Sequence, residues 1–329
     1  MPGGRGAVER GHGCHATARS SAFPLICDRV RPERSGPRSA RRYARGMTQW
    51  LTVAPGIHQR RYDPFDISIV VIEGSDGLLL VDTRVQPSEA LELADDIATR
   101  FDRPVRWVVN THAHFDHAFG NQVFGPGTAT DAAIYGHANI AAHFAEFEGP
   151  RLAAWRADPG REPDRQWDDV VLTPPTHPLV EPLVLNLGDR LVELRPQSPA
   201  HTDTDLVLFV PDERVWILGD LIEESGPVMY GSGSYPLGWP GVLVDLAASM
   251  RPSDPVVPGH GRVVDRAFVE RQAAELGLIA DRFRAAHAAG LTPAEALDAH
   301  DDWSIPVDAL GGAVERAYRA LDAQGEARV

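Results

Sequence analysis

The segment Thr111-His112-Ala113-His114-Phe115-Asp116-His117 puts three imidazoles and one carboxylate into six consecutive positions. Few structural needs call for such a cluster. A metal centre does, because neutral imidazole and carboxylate are the usual ligands of zinc and other borderline divalent ions. The plainer alternative is a polar loop whose histidines hydrogen-bond to backbone. His112 and His114 lie two positions apart, so on an extended segment they project to the same side. Asp116 and His117 then turn into a following helix. The segment directly follows Val105 to Val109, a short apolar run read as a buried strand. The carboxyl end of a strand, in the loop before a helix, is where α/β folds place their chemistry.

The rest of the chain reads as α/β. Ile67 to Ile72 is a β-branched run, Gly74-Ser75-Asp76-Gly77 is a turn signal, and Leu78 to Val81 is a second apolar run ending at Asp82. Together they predict a buried hairpin. Pro87 to Phe101 has helical spacing, with Ala90, Leu91, Leu93, Ala94, Ile97 and Phe101 on one broad face. Residues 138 to 177 break this rhythm. Asn139 to Phe147 looks helical, then Trp155 and Trp167 stand among prolines and charges. An insertion or lid is expected there, with His137 and His143 on a helix surface. Four more strands follow at Leu183–Leu187, Leu191–Leu194, Leu206–Val210 and Val215–Leu218. The last pair runs strand, turn, strand and then Asp220, which repeats the layout ending at Asp82 and suggests a duplicated β scaffold. Asp265 to Ala289 and Val307 to Ala323 have helical patterns without ligand-like residues, as expected for helices covering the outer face of a sheet.

Charge and cysteine content narrow the setting. The chain of 329 residues carries a formal charge of −14, and all 32 basic residues are arginine. Residues 1 to 46 hold ten Arg against Glu9, Asp28 and Glu33, a balance of +7 that leaves −21 for the remainder. An acidic body of this size disfavours nucleic acid or an anionic membrane as partner. No apolar run approaches the roughly 20 residues of a membrane-spanning helix. A small-molecule substrate is the expected partner, and the oligomeric state stays open. Both cysteines, Cys14 and Cys27, lie in the first 46 residues. Thiolate ligands and a disulfide framework are therefore excluded from residue 47 onward, and the cytoplasm is the default compartment. Residues 1 to 46 read as a disordered Arg-rich tail or as sequence upstream of a true start at Met47.

The His112–His117 pattern resembles the H-x-H-x-D-H signature of the metallo-β-lactamase superfamily, and the likeness extends along the chain. Asp82 at the end of a strand matches that family's first motif. Ala200-His201-Thr202-Asp203 looks like its G-H-T motif, with Ala200 in place of the usual Gly. Leu218-Gly219-Asp220 looks like the fourth, and Pro258-Gly259-His260-Gly261 like the fifth. The resemblance implies an α/β fold of the αββα kind: two mixed β-sheets packed face to face, helices outside, and a metal site at one edge. It implies a single domain over 47–329, with an insertion at about 138–177 and C-terminal helices at about 265–325. It also implies two metal positions, for two zinc ions or for iron or manganese. His112, His114 and His201 would hold the first. Asp116, His117 and His260 would hold the second, with Asp220 bridging both. Asp82 would support the site through hydrogen bonds, unless it merely caps the hairpin.

The likeness also carries a chemistry. Its relatives that hydrolyse antibiotics carry Cys or Ser at the fourth motif, whereas Asp220 looks like the glyoxalase II, lactonase and phosphodiesterase branches. The redox-active di-iron branch has an acidic residue where this chain has His114. The implied function is a dinuclear metal-dependent hydrolase that uses a hydroxide shared between the ions on a small ester, thioester, lactone or related substrate. Asp116 is the candidate to orient the nucleophile and carry its proton. A mononuclear iron persulfide dioxygenase is the first alternative, and a β-lactam or phosphodiester hydrolase is a further one. Residues 222 to 240 follow Asp220 and are expected to line the pocket, with Tyr230 as a candidate donor to an oxyanion. Trp155 and Trp167 are candidates for a lid. Gly231-Ser232-Gly233-Ser234 reads as a flexible loop.

Overall fold

The computed structural model describes residues 49–160 and 162–326. The Arg-rich stretch expected as a tail or upstream sequence lies outside the described residues. Strands β1 (Leu51–Ala54), β2 (Ile57–Tyr62), β3 (Ile67–Gly74) and β4 (Gly77–Val81) pair antiparallel in succession. Helix α1 (Pro87–Arg100) then crosses over to β5 (Val105–Val109), which lies parallel to β4. Pro87 opens the helix where a missing N–H costs nothing, and Ala90, Leu93 and Ile97 form its buried stripe. Two single-turn helices follow, α2 (Phe115–Ala118) and α3 (Asn121–Phe124), before β6 (Ala133–His137) adds in parallel to β5.

Between β6 and its parallel neighbour β7 (His177–Leu179), α4 (Ile140–His143) continues through a π turn (Phe144–Glu148) into α5 (Gly149–Ala157). The second half is built from β8 (Leu183–Asn186), β9 (Leu191–Pro196), β10 (Leu206–Val210) and β11 (Val215–Glu223), an antiparallel meander. Helix α6 (Trp239–Ser249) connects β11 to the parallel β12 (Val256–His260). The chain closes with α7 (Arg266–Ala288), α8 (Pro293–Asp298) and α9 (Val307–Glu326). α8 begins with a capping box between Thr292 and Glu295, which satisfies two otherwise orphaned N–H groups.

The strands form one hydrogen-bonded order, β7-β6-β5-β4-β3-β12-β11-β10-β9-β8, with β2 and β1 branching from β3. The junction is thin: one residue pair, His260 with Ile67, joins β12 to β3. That seam lets the two halves fold into facing layers. Alternate residues of β3, β4 and β5 (Val70, Ile72, Leu79, Val81, Val109) meet Leu208, Val210, Val215, Ile217 and Val257 of the other half in an apolar interior. The opposite faces are covered too. Ile69, Val71, Leu78 and Leu80 pack on α1. Val207, Phe209, Trp216 and Leu218 join a cluster with α6, α7 and α9. Strands buried on both faces lose alternation and read as apolar runs, which is why β3, β4, β10 and β11 stood out in the sequence. Each fully buried Val, Leu or Ile contributes about 1.5–3 kcal/mol against exposure, so this αββα sandwich of two mixed layers is held chiefly by its three apolar seams. Among the described residues no helix is long and apolar enough to cross a membrane.

Two expectations need correction. Asp220 does not end its strand: β11 runs on to Glu223, with a register irregularity at Gly219. Residues 138 to 177 are not a detached lid. Their buried stripe (Ile140, Phe144, Leu152, Trp155, Trp167 and Val170) packs on Val85, Phe115 and Phe119. Trp155 and Trp167 stack with ring centres 4.3 Å apart and are 5% and 4% exposed. The segment is a helical crossover whose core is continuous with the underside of α2.

Candidate metal centre

The strand β5 ends at Val109, and the chain then bends through Thr111, His112 and Ala113 before α2. Asp82 pins this rim. Its Oδ1 accepts Thr111 N at 2.8 Å, and its Oδ2 accepts Thr111 Oγ1 at 2.8 Å. The second layer holds the rim from the other side: Leu206 N donates to Thr111 O, and Ala113 N donates to Thr204 Oγ1. His112 and His114 thus stand on the rim and Asp116 and His117 on the first turn of α2. His201 comes from the β9–β10 loop, Asp220 from β11, and His260 from the end of β12. Gly259 is what lets β12 approach β11 here, since a Cβ at that position would lie 1.8 Å from Asp220 Oδ1.

The seven side chains converge as two adjoining groups. His112, His114, His201 and Asp220 place one ligand atom each within 4.8 Å of the others, and so do Asp116, His117 and His260. In the first group, His201 Nε2 is 2.9 Å from His114 Nδ1, and Asp220 Oδ2 is 3.7 Å from His112 Nε2 and 3.6 Å from His201 Nε2. In the second, His117 Nε2 is 3.3 Å from His260 Nε2, and Asp116 Oδ2 is 3.7 Å and 3.4 Å from those two atoms. Asp220 also reaches this group, with Oδ1 at 3.1 Å from His117 Nε2 and Oδ2 at 3.2 Å from His260 Nε2. Bonds of about 2.0–2.1 Å in tetrahedral array space neighbouring donors roughly 3.3 Å apart. The observed separations fall on both sides of that value.

Outward hydrogen bonds settle which ring nitrogen faces inward. His114 Nε2 lies 3.0 Å from the carbonyl of Ser232, which can only accept, so Nε2 carries the proton and Nδ1 keeps its lone pair. His260 Nδ1 donates to Phe65 O at 2.7 Å, and His117 Nδ1 to Asp82 Oδ2 at 2.8 Å, leaving each Nε2 toward the centre. Thr111 Oγ1 already donates to Asp82, so it accepts from His112 Nδ1 at 3.1 Å. His112 Nε2 is then a buried lone pair with no hydrogen-bond partner. Four imidazoles are held in the tautomer that suits ligation, by the kind of outer partner that orients metal-binding histidines. His201 differs: its Nδ1 is buried without a partner among the described residues.

Charge tells the two groups apart. Burial pushes His112 and His114 well below the usual histidine range and His201 down to about 4, so these three are neutral donors. Burial would also lower His117 and His260, but the Asp220 and Asp116 carboxylates overcome it and hold both well above that range. Burial would raise Asp116 and Asp220, yet His117 and His260 keep both low. Protons therefore fill the second group when no ion does, and a divalent cation would displace them. Nitrogen and oxygen donors alone, an inward lone pair left unmatched, and carboxylates in want of positive charge together fit a site for divalent metal.

Several neighbours were not foreseen. His143 is buried rather than on a helix surface, and its Nδ1 is 3.0 Å from Asp203 Oδ1. The π turn brings Glu148 inward, fully buried, where its Oε1 accepts from Ser232 Oγ at 3.0 Å. The sequence signal for His143 was its place beside Ile140 and Phe144 on one helical stripe; the inward turn of Glu148 had none. The Gly231–Ser234 loop is clamped rather than flexible. A Cβ at Gly231 would sit 2.8 Å from the His114 ring, and Ser234 Oγ accepts from Arg316 at 3.0 Å. Tyr230, expected near an oxyanion, lies elsewhere. Its ring packs edge-on to Trp239 at 5.4 Å within the apolar cluster of α6 and α7, and Trp239 in turn contacts His201 at 5.1 Å. Arg271, Arg282 and Arg284 sit on α7, stacked on Phe268 or paired with Asp302 and Asp281.

Comparison with known proteins agrees with this picture. The sequence profile described as "Metallo-beta-lactamase superfamily" matches residues 62–260. The chain is 24% identical over 203 residues to the metallo-beta-lactamase type 2 of Bacillus cereus, covering 61% of this chain and 69% of that protein. It is 28% identical over 155 residues to the 2,4-dinitroanisole O-demethylase subunit alpha of Nocardioides sp. (strain JS1661), covering 46% of this chain and 40% of that one. Among solved structures, the stereoselective inverting sec-alkylsulfatase Pisa1 from Pseudomonas sp. superposes with a TM-score of 0.64 at 17% identity, over 82% of this chain and 50% of that one.

Proposed function

The chain belongs to the metallo-β-lactamase superfamily, and from that premise we propose that it is a dinuclear metal-dependent hydrolase, with zinc as the working metal. The observation that carries the proposal is the position of Asp220. Its carboxylate stands between the two ligand groups, within 3.1–3.7 Å of one or more imidazole nitrogens in each. His112, His114 and His201 would hold one ion and Asp116, His117 and His260 the other, with Asp220 available to both. Bound ions would supply a water of pKa lowered to about 7 and a Lewis acid for the substrate oxygen.

The chain's own groups do the rest. Outward hydrogen bonds fix the imidazoles, so little ordering is left for the moment of reaction. Asp116, 7% exposed at the mouth of the site, orients the attacking water and takes its proton. The substrate class proposed is a small ester, thioester or lactone, because an aspartate at 220 resembles those branches rather than the antibiotic-hydrolysing one. The O-demethylase and sec-alkylsulfatase among the similar proteins add aryl ethers and sulfate esters to the compounds worth screening.

The test is metal analysis followed by a hydrolysis screen of zinc-loaded protein against lactones, thioesters, aryl esters, sulfate esters and nitrocefin. Two zinc ions per chain and turnover of an ester-type substrate are expected, with little or no nitrocefin turnover. One iron per chain and no zinc would overturn the reading in favour of a mononuclear iron enzyme. Rapid nitrocefin hydrolysis would overturn the argument from Asp220.

A further inference from the structure

The crossover segment places one arginine beside the ligand cluster in an unusual state. Other arginines near the site are matched: Arg84 and Arg165 pair with Glu89, and Arg61 with Asp66. Arg151, on α5, is matched more loosely, by an ion pair with Glu148. Its Nη2 donates to Ser232 Oγ at 2.7 Å, and this is its one hydrogen bond among the described residues. Its Nε stands 3.6 Å from Glu148 Oε2, beyond hydrogen-bond range. A guanidinium has five N–H donors. The Arg151 side chain is 11% exposed, and none of its nitrogens is both sealed from solvent and unpartnered. Its spare donors therefore reach solvent.

Arg151 adjoins the ligands. Ser232, whose hydroxyl Arg151 holds, accepts His114 Nε2–H through its carbonyl. The guanidinium carbon lies 5.5 Å from the ring centre of Phe115, the residue between His114 and Asp116, and 5.7 Å from that of Trp155. Phe65 meets Phe115 edge-on at 5.6 Å and accepts His260 Nδ1–H through its carbonyl. An aromatic wall thus runs from one ligand group to the other, with a planar cation at one end.

We propose that Arg151 binds an anionic oxygen group of the substrate, a carboxylate or a sulfate, while an apolar aryl or alkyl body lies along the half-buried Phe65. The substrate class narrows to apolar esters and their relatives that carry an anionic substituent. This deepens the hydrolase reading of the same site and rests on it for the word substrate. Arg suits the task because its rigid fork matches a carboxylate or sulfate with two parallel hydrogen bonds while its face stays on an aromatic ring.

The test compares phenylacetate with phenylacetamide, an anion and its neutral counterpart, by calorimetric titration of the zinc-loaded full chain and its Arg151→Met and Arg151→Lys variants. A charged hydrogen-bonded contact predicts that wild type prefers phenylacetate by about tenfold or more. Arg151→Met should erase the preference with zinc content unchanged, and Arg151→Lys should keep part of it. Equal affinities for the two probes in wild type would overturn the proposal without any variant. A preference that survives in Arg151→Met would place the anion on the metals and overturn it too. Loss of zinc in Arg151→Met would make Arg151 a support of His114 instead, with the same consequence. A wild-type chain that takes up no metal would defeat the hydrolase reading alone, since an Arg151-dependent preference for phenylacetate would still stand.

Discussion

Replacing Asp82 by Asn keeps the shape of the side chain and removes its charge. Asp82 is 1% exposed, and three donors reach it at 2.8 Å: Thr111 N on Oδ1, and Thr111 Oγ1 and His117 Nδ1 on Oδ2. An amide oxygen can still accept from Thr111 N. The amide nitrogen then faces Thr111 Oγ1 and the His117 N–H, donor against donor. His117 must shift its proton to Nε2 or leave Nδ1 unpaired, and the first outcome removes a ligand lone pair. A hydrogen bond to a charged group contributes about 1.5–3 kcal/mol. Outer carboxylates on metal-binding histidines change metal affinity about 10–100-fold, or about 1.4–2.7 kcal/mol, so the two figures agree. Competitive titration of limiting zinc against a chromophoric chelator at pH 7 should show one of two sites weakened by that factor. The other, built on His112, His114 and His201, should be little changed. Two unaltered dissociation constants in a folded Asp82→Asn protein would refute the tautomer argument, and with it the grouping of the ligands.

Asp116→Asn should weaken the second ion, for which Asp116 is a ligand, and at saturating zinc should lower kcat about 10²–10⁴-fold, the usual weight of a positioned general base; full activity at normal zinc content would remove Asp116 from its role. Glu223 is buried, and burial together with the Asp220 charge pushes it up to about 8. Its folded pKa lies above the unfolded value of about 4.3, so the stability it contributes is present below pH 4.3 and is lost as pH rises toward 8. Metal-free Glu223→Gln should accordingly melt higher than wild type at pH 8 and no higher at pH 4; identical melting differences at both values would show that Glu223 does not titrate in that window. Trp155→Ala should lower stability by about 3–5 kcal/mol, as for other buried aromatics, measured by urea unfolding. A cost below about 1 kcal/mol would return residues 138 to 177 to the status of a detachable lid.

Much of the site was legible because metal chemistry restricts residue types. His112, His114, Asp116 and His117 are adjacent in the chain, and resemblance to the family motifs marked Asp82, His201, Asp220 and His260. The apolar runs themselves betrayed the layers, since strands covered on both sides cannot alternate. Where local reading went astray, the cause was contact between distant segments. Tyr230 has the chemistry of an oxyanion donor, but its ring packs on Trp239 within an apolar cluster. Gly231 and Gly233 look like flexibility, yet they are small because the rings of His114 and His143 leave no room for a side chain. His143 reads as a surface residue because one helix carries no record of what packs on it.

The sequence by itself marked an α/β pattern and the cluster of His112, His114, Asp116 and His117, since periodicity and ligand type are local properties of the chain; the αββα class, the ligands His201, Asp220 and His260 and the division between metal positions were implied by resemblance to the family motifs. Tertiary structure alone decided which nitrogen of each imidazole faces the centre. It also decided that the 138–177 segment is core, and that Arg151 stands beside His114 with donors to spare. Each of these depends on hydrogen bonds and packing between residues far apart in the chain, as with Phe65 and His260 or Arg151 and Ser232. No run of neighbouring residues encodes such a meeting; it exists only once the two layers close on each other.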